Sequence, residues 1–436
     1  MHVPVNTSNE PGRVPPSQRR RIRVLALDYS IGFGGATKSM ALMLRDTPDV
    51  DVVVVTSQDP DLRRTWYSKW PTYKYRRVLN YRSRWRVADW IAQHRAPAVV
   101  QRLVMRVYAA ADLMRSLTGS LRLAWLVRRH RIDLVHLANG FVPSEALVAG
   151  RLTGVPVIAH LRGFFTTRRL QPKKRAILPA IVIGDSEAVT RSFVERSPYA
   201  IPSQTIYEVV DVAGFDATAA ERSTRRSSLG LSDQQTAVAI FGRVVQWKGQ
   251  LEFVRAMISA MDSDASLVGV IVGDASDGAP AYFEGIKALI RDSGKQDRFR
   301  LTGYVENVEP LYAAMDIVVH ASIEPEPCGM VVMEAMAARR PVIAANAGGP
   351  RELIRDGIDG RLVTPGDIQR LADVVLELAA DPVMRARMGD AGYDRARTLF
   401  DVPVATAQIR AVYEQLTSTA SAEARTPEAG LAASVQ

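Results

Sequence analysis

Cysteine is almost absent from this sequence, because Cys328 is the single cysteine among 436 residues. One thiol cannot form a disulfide within the chain, and it cannot build a zinc site from several cysteines. The class of small secreted proteins held together by disulfides is therefore excluded. A reducing compartment is the natural setting, and we expect a cytoplasmic protein.

Long hydrophobic runs are missing as well. The valine run Val52 to Val55 is far too short to cross a bilayer. The N-terminus is basic and proline-rich between Arg13 and Arg21, and no apolar segment of the signal-peptide type follows it. We therefore expect neither a signal peptide nor a transmembrane helix. Residues 1–21 and 418–436 show no periodicity, and we expect two disordered tails, the first of them basic.

Acidic residues are scarce between Arg63 and Arg131, where 17 Arg or Lys residues face only Asp89 and Asp112. This window, 63–131, has a net charge of +15, whereas the whole chain carries +10. It also holds five of the six tryptophans. Basic and aromatic residues together suit an anionic bilayer, so we expect a peripheral contact with the inner face of the cell membrane. The alternative is a solvated face with some buried aromatics. No nucleic-acid-binding motif accompanies the window, and no nucleic acid partner is expected.

Short β-branched runs alternate with helical stretches along the chain, the pattern of βα units around parallel sheets. The predicted strands are 24–28, 52–56, 134–137, 157–160, 181–184, 237–241, 267–272, 317–320 and 342–345. The series divides near residues 211–227 into two sets. This predicts an α/β protein with two doubly wound parallel-sheet domains that face a central crevice, where a ligand should bind. We place the first domain at 22–214 and the second at 215–400, followed by a helix at 401–417 that packs back on the first domain.

A glycine-rich stretch, Ile31 to Ser39, follows the first predicted strand and precedes a helix. Glycines at such a place let the backbone approach a phosphate at the helix N-terminus. Gly32, Gly34 and Gly35 lack the third glycine of the dinucleotide-binding pattern, and the next strand ends without an acid for a ribose. A nicotinamide cofactor is therefore disfavoured, and a tight turn without a ligand remains the alternative.

Two cations follow the first predicted strand of the second domain, in the segments Gly242-Arg243 and Lys248-Gly249. A guanidinium fork and a lysine point charge suit a diphosphate. As an isolated pair they would ordinarily be solvated surface residues. Their place at the carboxyl end of a strand favours a ligand instead.

Two glutamates, Glu326 and Glu334, stand eight residues apart, and Gly329 begins a helix between them. A carboxylate in a loop can accept hydrogen bonds from sugar hydroxyls, and one on the helix can hold a ribose diol. Two such glutamates would usually face solvent. The glycine turn Gly348-Gly349 after the next strand brings a second ligand-type loop to the same edge, which favours a binding site.

The order of these motifs resembles the large GT4 family of retaining glycosyltransferases, which have the GT-B fold of two Rossmann-like domains. The resemblance covers about 230–380 and is looser in the first domain, where Gly34-Gly35, His160 and the turn 184–188 match. In the second domain it rests on Gly242-Arg243, Lys248-Gly249, Gly303-Tyr304, Glu326 to Glu334, Gly348-Gly349-Pro350-x-Glu352, Asp356-Gly357 and Gly360.

The resemblance implies a hexosyltransferase that takes a nucleoside-diphosphate sugar as donor and a glycan or lipid-linked acceptor. It assigns catalytic roles to four residues. Arg243 and Lys248 would hold the diphosphate, Glu326 would address the transferred sugar, and His160 would face that sugar from the first domain. A lone histidine in an apolar strand can equally be a buried structural residue. The donor-binding residues that the resemblance implies are Gly34, Gly35, Gly242, Gly273, Gly303, Tyr304, Val305, Gly329, Met330, Val331 and Glu334.

The resemblance also implies a front-face substitution with retention, in which the leaving phosphate accepts the acceptor's proton. Neither a cofactor nor a metal ion is expected. The segments Asp49-Val-Asp51 and Asp262-Ser-Asp264 have the spacing of metal-binding aspartates, but both precede strands, at the end opposite the crevice.

Two positions depart from the family pattern. Cys328 stands where an aromatic residue is common, which predicts an altered donor fit. Glu208-Val209-Val210-Asp211 stands where Asn-Gly-Val-Asp is usual, which puts the geometry of the hinge in question. Two alternatives stay open at this point: a catalytically silent, membrane-associated partner subunit of the same fold, or a sugar-nucleotide epimerase or phosphorylase.

Overall fold

The computed structural model describes residues 20–29, 35–47, 49–56, 67–74, 98–141, 144–166, 177–275 and 280–423. Two parallel sheets lie within these ranges, one of seven strands and one of six. Helices cover both sheets, so the prediction of two doubly wound α/β domains is confirmed.

The first sheet has the strand order β3-β2-β1-β4-β5-β6-β7. Its central strands are nearly continuous apolar runs, since both faces are covered by helices. The strands are β1 (Ile22–Asp28), β2 (Val50–Thr56), β3 (Thr72–Lys74), β4 (Leu134–Leu137), β5 (Val157–Leu161), β6 (Ile181–Gly184) and β7 (Ser203–Thr205). The helices are α1 (Gly35–Arg45), α2 (Ala98–Arg129), α3 (Ser144–Thr153) and α4 (Glu187–Arg196).

The second sheet has the order β10-β9-β8-β11-β12-β13. The helix before it starts at a capping box, in which Thr218 and Glu221 bond each other's backbone N–H groups. The strands are β8 (Thr236–Phe241), β9 (Leu267–Val272), β10 (Phe299–Gly303), β11 (Ile317–His320), β12 (Val342–Ala345) and β13 (Arg361–Val363). The helices are α5 (Ala219–Ser228), α6 (Gln250–Ser263), α7 (Pro280–Asp292), α8 (Glu309–Ala314), α9 (Met330–Ala337), α10 (Gly348–Leu353), α11 (Ile368–Ala380) and α12 (Pro382–Leu399).

The last helix, α13 (Val402–Glu423), packs on the first sheet through Val402, Ala405 and Ile409. It ends six residues beyond the predicted boundary at residue 417. In this last part of the helix the hydroxyls of Thr417 and Thr419 donate to carbonyls of the preceding turn. The part of the predicted tail at 418–423 is therefore helical.

In both sheets the order in which strands are added reverses next to the first strand. The reversal lies between β1 and β4 in the first sheet and between β8 and β11 in the second. Loops diverge at such switch points, and the crevice they leave at the carboxyl ends is where open α/β sheets bind ligands. No helix in the described part of the chain is both long enough and apolar enough to cross a membrane.

Candidate active site

Glu326 lies in the loop between β11 and α9 and is almost buried, with 7% of its surface exposed. Its Oε1 atom accepts a hydrogen bond from Lys248 Nζ at 2.6 Å and lies 2.9 Å from His320 Nε2. The Ser322 hydroxyl donates to the same oxygen. Burial alone would raise the pKa of Glu326, but the contacts with His320 and Lys248 outweigh it and hold the pKa well below its usual range. The carboxyl is therefore ionised at neutral pH.

Lys248 reaches Glu326 because two loops are pressed together. Gly249 has a left-handed φ of 74°, and a Cβ built there would lie 1.9 Å from the carbonyl oxygen of Ala321. The Ile323 N–H also donates to the Trp247 carbonyl at 2.9 Å. Only glycine permits this approach, which joins the loop after β8 to the loop after β11.

Arg243 lies on the same loop as Lys248, and its side chain is exposed. Its carbonyl oxygen accepts a hydrogen bond from the Gln250 side chain at 2.8 Å, which fixes the backbone of the loop. The structure thus brings Lys248 and Glu326 into contact and places Arg243 just after the carboxyl end of β8.

Three predicted donor-binding glycines lie side by side at the ends of β8, β9 and β10. The Gly273 N–H donates to Gly303 O at 3.0 Å, and a Cβ on Gly273 would lie 2.0 Å from Gly242 O. Only bare backbone fits between these strand ends. Tyr304 follows with 69% of its surface exposed, whereas Val305 packs against the core of the second domain.

Glu334 lies on α9 and accepts a hydrogen bond from the Tyr312 hydroxyl at 2.7 Å. The Tyr312 ring stacks on Phe241 with 3.9 Å between ring centroids and 6° between planes. Burial raises the pKa of the Glu334 carboxyl, an effect that the Lys38 charge opposes. Tyr312 was not predicted as a site residue, since a tyrosine in an apolar helix carries no functional signal by itself.

Helix α9 begins after Gly329, which has a left-handed φ of 96°. The first N–H groups of a helix have no partner within the helix and can bind a ligand. A Cβ on Gly329 would lie 2.8 Å from Pro350 Cγ. Met330 reaches the first domain, since a Cβ on Gly35 would lie 3.1 Å from its Cγ atom. Val331 is half-buried beside it. The predicted residue Gly34 lies outside the described residues.

His160 is completely buried at the end of β5 and stacks on His136, with 5.4 Å between the ring centroids. Its Nδ1 atom lies 3.3 Å from His136 Nε2, and His136 Nδ1 lies 2.7 Å from the hydroxyl of Tyr413. Burial, with a smaller contribution from Arg162, lowers the pKa of His160 well below its usual value and that of His136 to about 3. Both rings are therefore neutral at pH 7, and His160 Nε2 has no hydrogen-bond partner among the described residues.

Glu208, in the segment 208–211 that departs from the family pattern, forms a buried ion pair with Arg162. The side chains of Glu208 and Arg162 are 4% and 5% exposed. Arg162 follows β5, two residues after His160. Cys328, the other departure, is also buried. Its thiol pKa is raised by burial first and then by the charges of Asp185 and Glu208. The two departures thus lie near each other where the domains meet, an arrangement that their sequence positions do not predict.

The two D-x-D segments have partners in the fold. Asp49 pairs with Arg410 at 3.3 Å, and Asp262 pairs with Lys295 at 2.6 Å. Asp264 accepts a hydrogen bond from the Ser266 N–H at 2.8 Å. These contacts account for the aspartates structurally.

The two domains touch across the crevice. Lys38 on α1 pairs with Glu309 on α8. Glu352 on α10 accepts hydrogen bonds from the N–H groups of Glu187 and Ala188 at 2.8 and 3.0 Å, at the start of α4. Two facing doubly wound sheets, with a buried carboxylate and a partly buried lysine at the crevice, are the architecture of the GT-B fold.

Comparison with known proteins gives the family. The model of group 1 glycosyl transferases matches residues 221–395. A GDP-mannose-dependent alpha-(1-6)-phosphatidylinositol monomannoside mannosyltransferase of Mycobacterium tuberculosis (strain CDC 1551 / Oshkosh) is 31% identical over 292 residues, covering 63% of this chain and 74% of that protein. A phosphatidyl-myo-inositol mannosyltransferase of Mycobacterium leprae (strain TN) is 27% identical, covering 68% and 77%. The chain belongs to the group 1 glycosyltransferases.

Solved structures share the fold. HepE of Anabaena in complex with UDP and glucose has a TM-score of 0.69 at 23% identity, covering 90% of this chain and 99% of that chain. A glycosyltransferase from Rickettsia africae ESF-5 has a TM-score of 0.76 at 17% identity, covering 91% and 99%. The predicted GT-B fold, the family and the enzyme class are confirmed, and the roles of individual site residues stay predictions.

Proposed function

We propose that this glycosyltransferase moves a hexosyl group from a nucleoside-diphosphate sugar to a lipid-linked or membrane-surface glycan acceptor. The observation that carries the proposal is the partly buried Lys248–Glu326 pair at the carboxyl ends of β8 and β11. GDP-mannose is the leading donor, because the relative in Mycobacterium tuberculosis is named as GDP-mannose-dependent. A UDP-sugar is the second candidate, because HepE was solved with UDP.

The donor diphosphate is assigned to three groups on the second domain. Arg243 and Lys248 supply positive charge, and the N-terminus of α9 supplies backbone N–H groups and the positive end of its dipole. The leaving diphosphate gains negative charge as the glycosidic bond breaks. Donors fixed in advance by the fold stabilise that charge without reorganising.

Glu326 is assigned to the transferred sugar. Its three described contacts all go to Oε1, so Oε2 is the oxygen through which it would accept a sugar hydroxyl. Glu334 is assigned to the ribose diol, with one carboxyl oxygen held by Tyr312. His160 would offer its unpaired Nε2 atom to the reacting sugar from the opposite domain.

We propose retention by a front-face substitution in which the leaving phosphate oxygen takes the acceptor's proton. Three carboxyls stand near the carboxyl ends of the first sheet, and we assign none of them as a nucleophile. The Tyr67 hydroxyl donates to Asp28 at 2.7 Å, and Glu208 is paired with Arg162. Burial raises the pKa of Asp185 well above its usual value, and a protonated carboxyl is a poor nucleophile. No metal ion or cofactor is included in the proposal.

Helix α2 supports a membrane-surface acceptor. It is 32 residues long, and exposed apolar side chains recur along it at intervals of three, four or seven residues. Exposed arginines flank this apolar stripe, including Arg102, Arg106 and Arg122. Apolar residues with arginines beside them suit an anionic bilayer surface. The stripe consists of Val99, Leu103, Val107, Met114, Leu117, Leu121 and Trp125.

Only part of the basic aromatic window 63–131 supports this contact. Tyr67 is buried, Trp70 packs against the core of the first domain, and Tyr73 bonds His130 at 2.8 Å. Trp125 is 57% exposed. Trp66 and residues 75–97, with Trp85 and Trp90, lie outside the described residues. The membrane proposal therefore rests on α2.

A thermal-shift series tests the donor. GDP-mannose, UDP-glucose and an ADP-sugar are each titrated against the protein, with the free nucleoside diphosphates alongside. A donor present at 100 times its Kd should stabilise the fold by about 2.7 kcal/mol. We expect the largest rise in Tm with one of the first two. No rise with any nucleotide would contradict the proposed function.

A further inference from the structure

Arg162 is a buried guanidinium in which the N–H groups of two of its three nitrogens have no partner among the described residues. One terminal nitrogen, Nη1, donates to both carboxylate oxygens of Glu208, at 2.6 Å to Oε2 and closer still to Oε1. Nε and Nη2 are buried and have no hydrogen-bond partner among the described residues. Burying N–H groups of a charged side chain without partners is costly, and a bound ligand is one way to satisfy them.

The two unused nitrogens lie on one edge of the guanidinium plane. Nε–H and Nη2–H point in parallel, about as far apart as two adjacent oxygens, which is the geometry of a bidentate contact. Glu208 holds the opposite side and so fixes the direction of this edge. The fork is therefore preset by the protein and does not depend on a flexible surface side chain.

The surroundings of the fork are mixed in polarity. Asp185, at the end of β6, is 2% exposed and has an Oδ1 atom without a described partner. His160, at the end of β5, has its unpaired Nε2 atom. Arg162 lies two residues after His160, and the Asp185 N–H donates to the carbonyl of Leu161, the residue before Arg162, at 3.1 Å. Unpaired donors and acceptors together suit hydroxyl groups, which both donate and accept.

A charged ligand fits this place poorly. Glu208 already supplies the countercharge of Arg162, and Asp185 is a second acid whose ionised form is disfavoured by burial and by Glu208. Another carboxylate or phosphate would add negative charge to the same buried volume. A pair of neutral oxygens would satisfy both N–H groups without that cost.

We propose that the Nε–Nη2 edge of Arg162 binds two neighbouring hydroxyl oxygens of a sugar ring. The inference rests on the proposed function and adds a specificity-determining residue to it. Both nitrogens are closed off from solvent in this structure, so a sugar can reach them only after a rearrangement that exposes them. The sugar belongs either to the donor or to the acceptor, and the test separates the two.

The test uses Arg162→Lys, which keeps a charge for Glu208 but lacks the fork. Binding of GDP-mannose and GDP, and of UDP-glucose and UDP, is measured by calorimetry. If the fork holds the donor sugar, the variant binds the nucleotide sugar about tenfold to a hundredfold more weakly, while binding of the free diphosphate is unchanged. If it holds the acceptor sugar, donor binding is unchanged and the KM for the acceptor rises by a similar factor.

Two further variants control for folding. Arg191→Lys makes the same change at an exposed arginine of the same domain and should leave every value unchanged. The double variant Arg162→Gln with Glu208→Gln removes both buried charges together, and it should show the same loss of sugar binding if Arg162→Lys fails to fold.

The outcomes separate the two proposals. Wild-type protein that binds no nucleoside diphosphate would contradict the proposed function and the Arg162 inference with it. Wild-type protein that binds a donor normally, together with a folded variant whose donor affinity and acceptor KM are both unchanged, would overturn the Arg162 inference alone.

Discussion

At the scale of single residues, Glu326 shows what a sequence pattern can and cannot give. Its spacing from Glu334 and its order after Lys248 predicted a shared site, and the structure joins Glu326 to Lys248 at 2.6 Å. His320 and Ser322 complete the contacts at Oε1, yet neither was predicted. A histidine and a serine after an apolar strand are common, so only coordinates can show which atom they address.

Loss of either member of the Lys248–Glu326 pair should abolish most activity. Lys248→Ala removes charge from the proposed diphosphate site, and Glu326→Gln removes the carboxylate from the proposed sugar site. We expect kcat to fall by about 10² to 10³-fold in each variant. The far-UV circular dichroism spectrum, which reports folding, should be unchanged. Lys287→Ala, which breaks an exposed ion pair, is the control. Near-normal turnover in either site variant would remove that residue from the scheme.

The buried histidine pair predicts a pH dependence of stability. The folded-state pKa of His136 is lowered to about 3, whereas an unfolded histidine titrates near 6.5. Between these values the unfolded chain binds a proton that the folded chain does not, so stability falls as the pH falls from 6.5 toward 3. The slope is up to about 1.4 kcal/mol per pH unit for this group.

Urea unfolding at pH 7, 6 and 5 measures that slope. We expect the wild-type protein to lose stability steadily on acidification and the variant His136→Asn to lose less over the same range. Asn can still bond the hydroxyl of Tyr413, which protects the fold. Equal slopes in the two proteins would show that His136 is not held neutral.

At the scale of elements, the loops that follow β8 and β11 depend on Gly249. An alanine there would need a left-handed φ and would bring its Cβ within 1.9 Å of Ala321 O. Gly294 has a similar φ of 68°, but nothing lies within 4 Å of its Cβ position.

The variants Gly249→Ala and Gly294→Ala separate backbone strain from collision. Gly294→Ala should cost about 1 kcal/mol of unfolding free energy, the price of the conformation alone. Gly249→Ala should cost about 3 kcal/mol or more and lower kcat, because the loop carrying Lys248 must move. Chemical denaturation measures the unfolding free energy of each variant, and a turnover assay measures its kcat. Equal losses in both variants would contradict the close contact.

Helix α2 predicts membrane binding. The variant Leu103→Ser, Val107→Ser, Leu121→Ser and Trp125→Ser removes four exposed side chains of the apolar stripe and leaves the arginines in place. In liposome flotation with anionic vesicles we expect wild-type protein to float and the variant to float several-fold less.

Two outcomes would argue against the membrane contact. A control with Val194→Ser and Val383→Ser, which are exposed apolar residues away from α2, should float like wild type. Equal flotation of the α2 variant and wild type would exclude the stripe. No preference of the wild type for anionic over neutral vesicles would exclude the proposed contact altogether.

Element prediction succeeded where the pattern was strong. The central strands were found because they are apolar runs buried on both faces, as in β8, Thr236–Phe241. The strands β3, β7, β10 and β13 were not predicted. Three of them have only three residues, such as Ser203–Thr205, and all four are the edge strands of their sheets. Such strands form by pairing with a neighbour, which local sequence does not encode.

At the scale of the whole molecule, the two successive sets of strands and helices predicted two facing domains, but not the contacts that hold them. Glu352 accepts two N–H groups at the start of α4 and the Tyr207 hydroxyl at 3.2 Å. Lys38 and Glu309 form the second link. These residues come from distant parts of the chain, so only the tertiary arrangement brings them together.

Breaking both links should loosen the apposition of the domains. In the double variant Lys38→Ala and Glu352→Ala we expect a larger radius of gyration by small-angle X-ray scattering, with unchanged helix content. Lys295→Ala, which breaks the pair with Asp262 within the second domain, should leave the radius unchanged. An unchanged radius in the double variant would mean that other contacts set the domain arrangement.

The proposed activity can be measured as transfer of labelled sugar. Wild-type protein and Lys248→Ala are incubated with radiolabelled GDP-mannose or UDP-glucose and with anionic vesicles. The vesicles contain lipids extracted from membranes of the organism that produces the protein, and the label in the lipid fraction is counted. The account predicts labelled lipid with one donor, release of nucleoside diphosphate only when acceptor is present, and loss of both in the variant. Diphosphate release without acceptor, or equal transfer by both proteins, would contradict it.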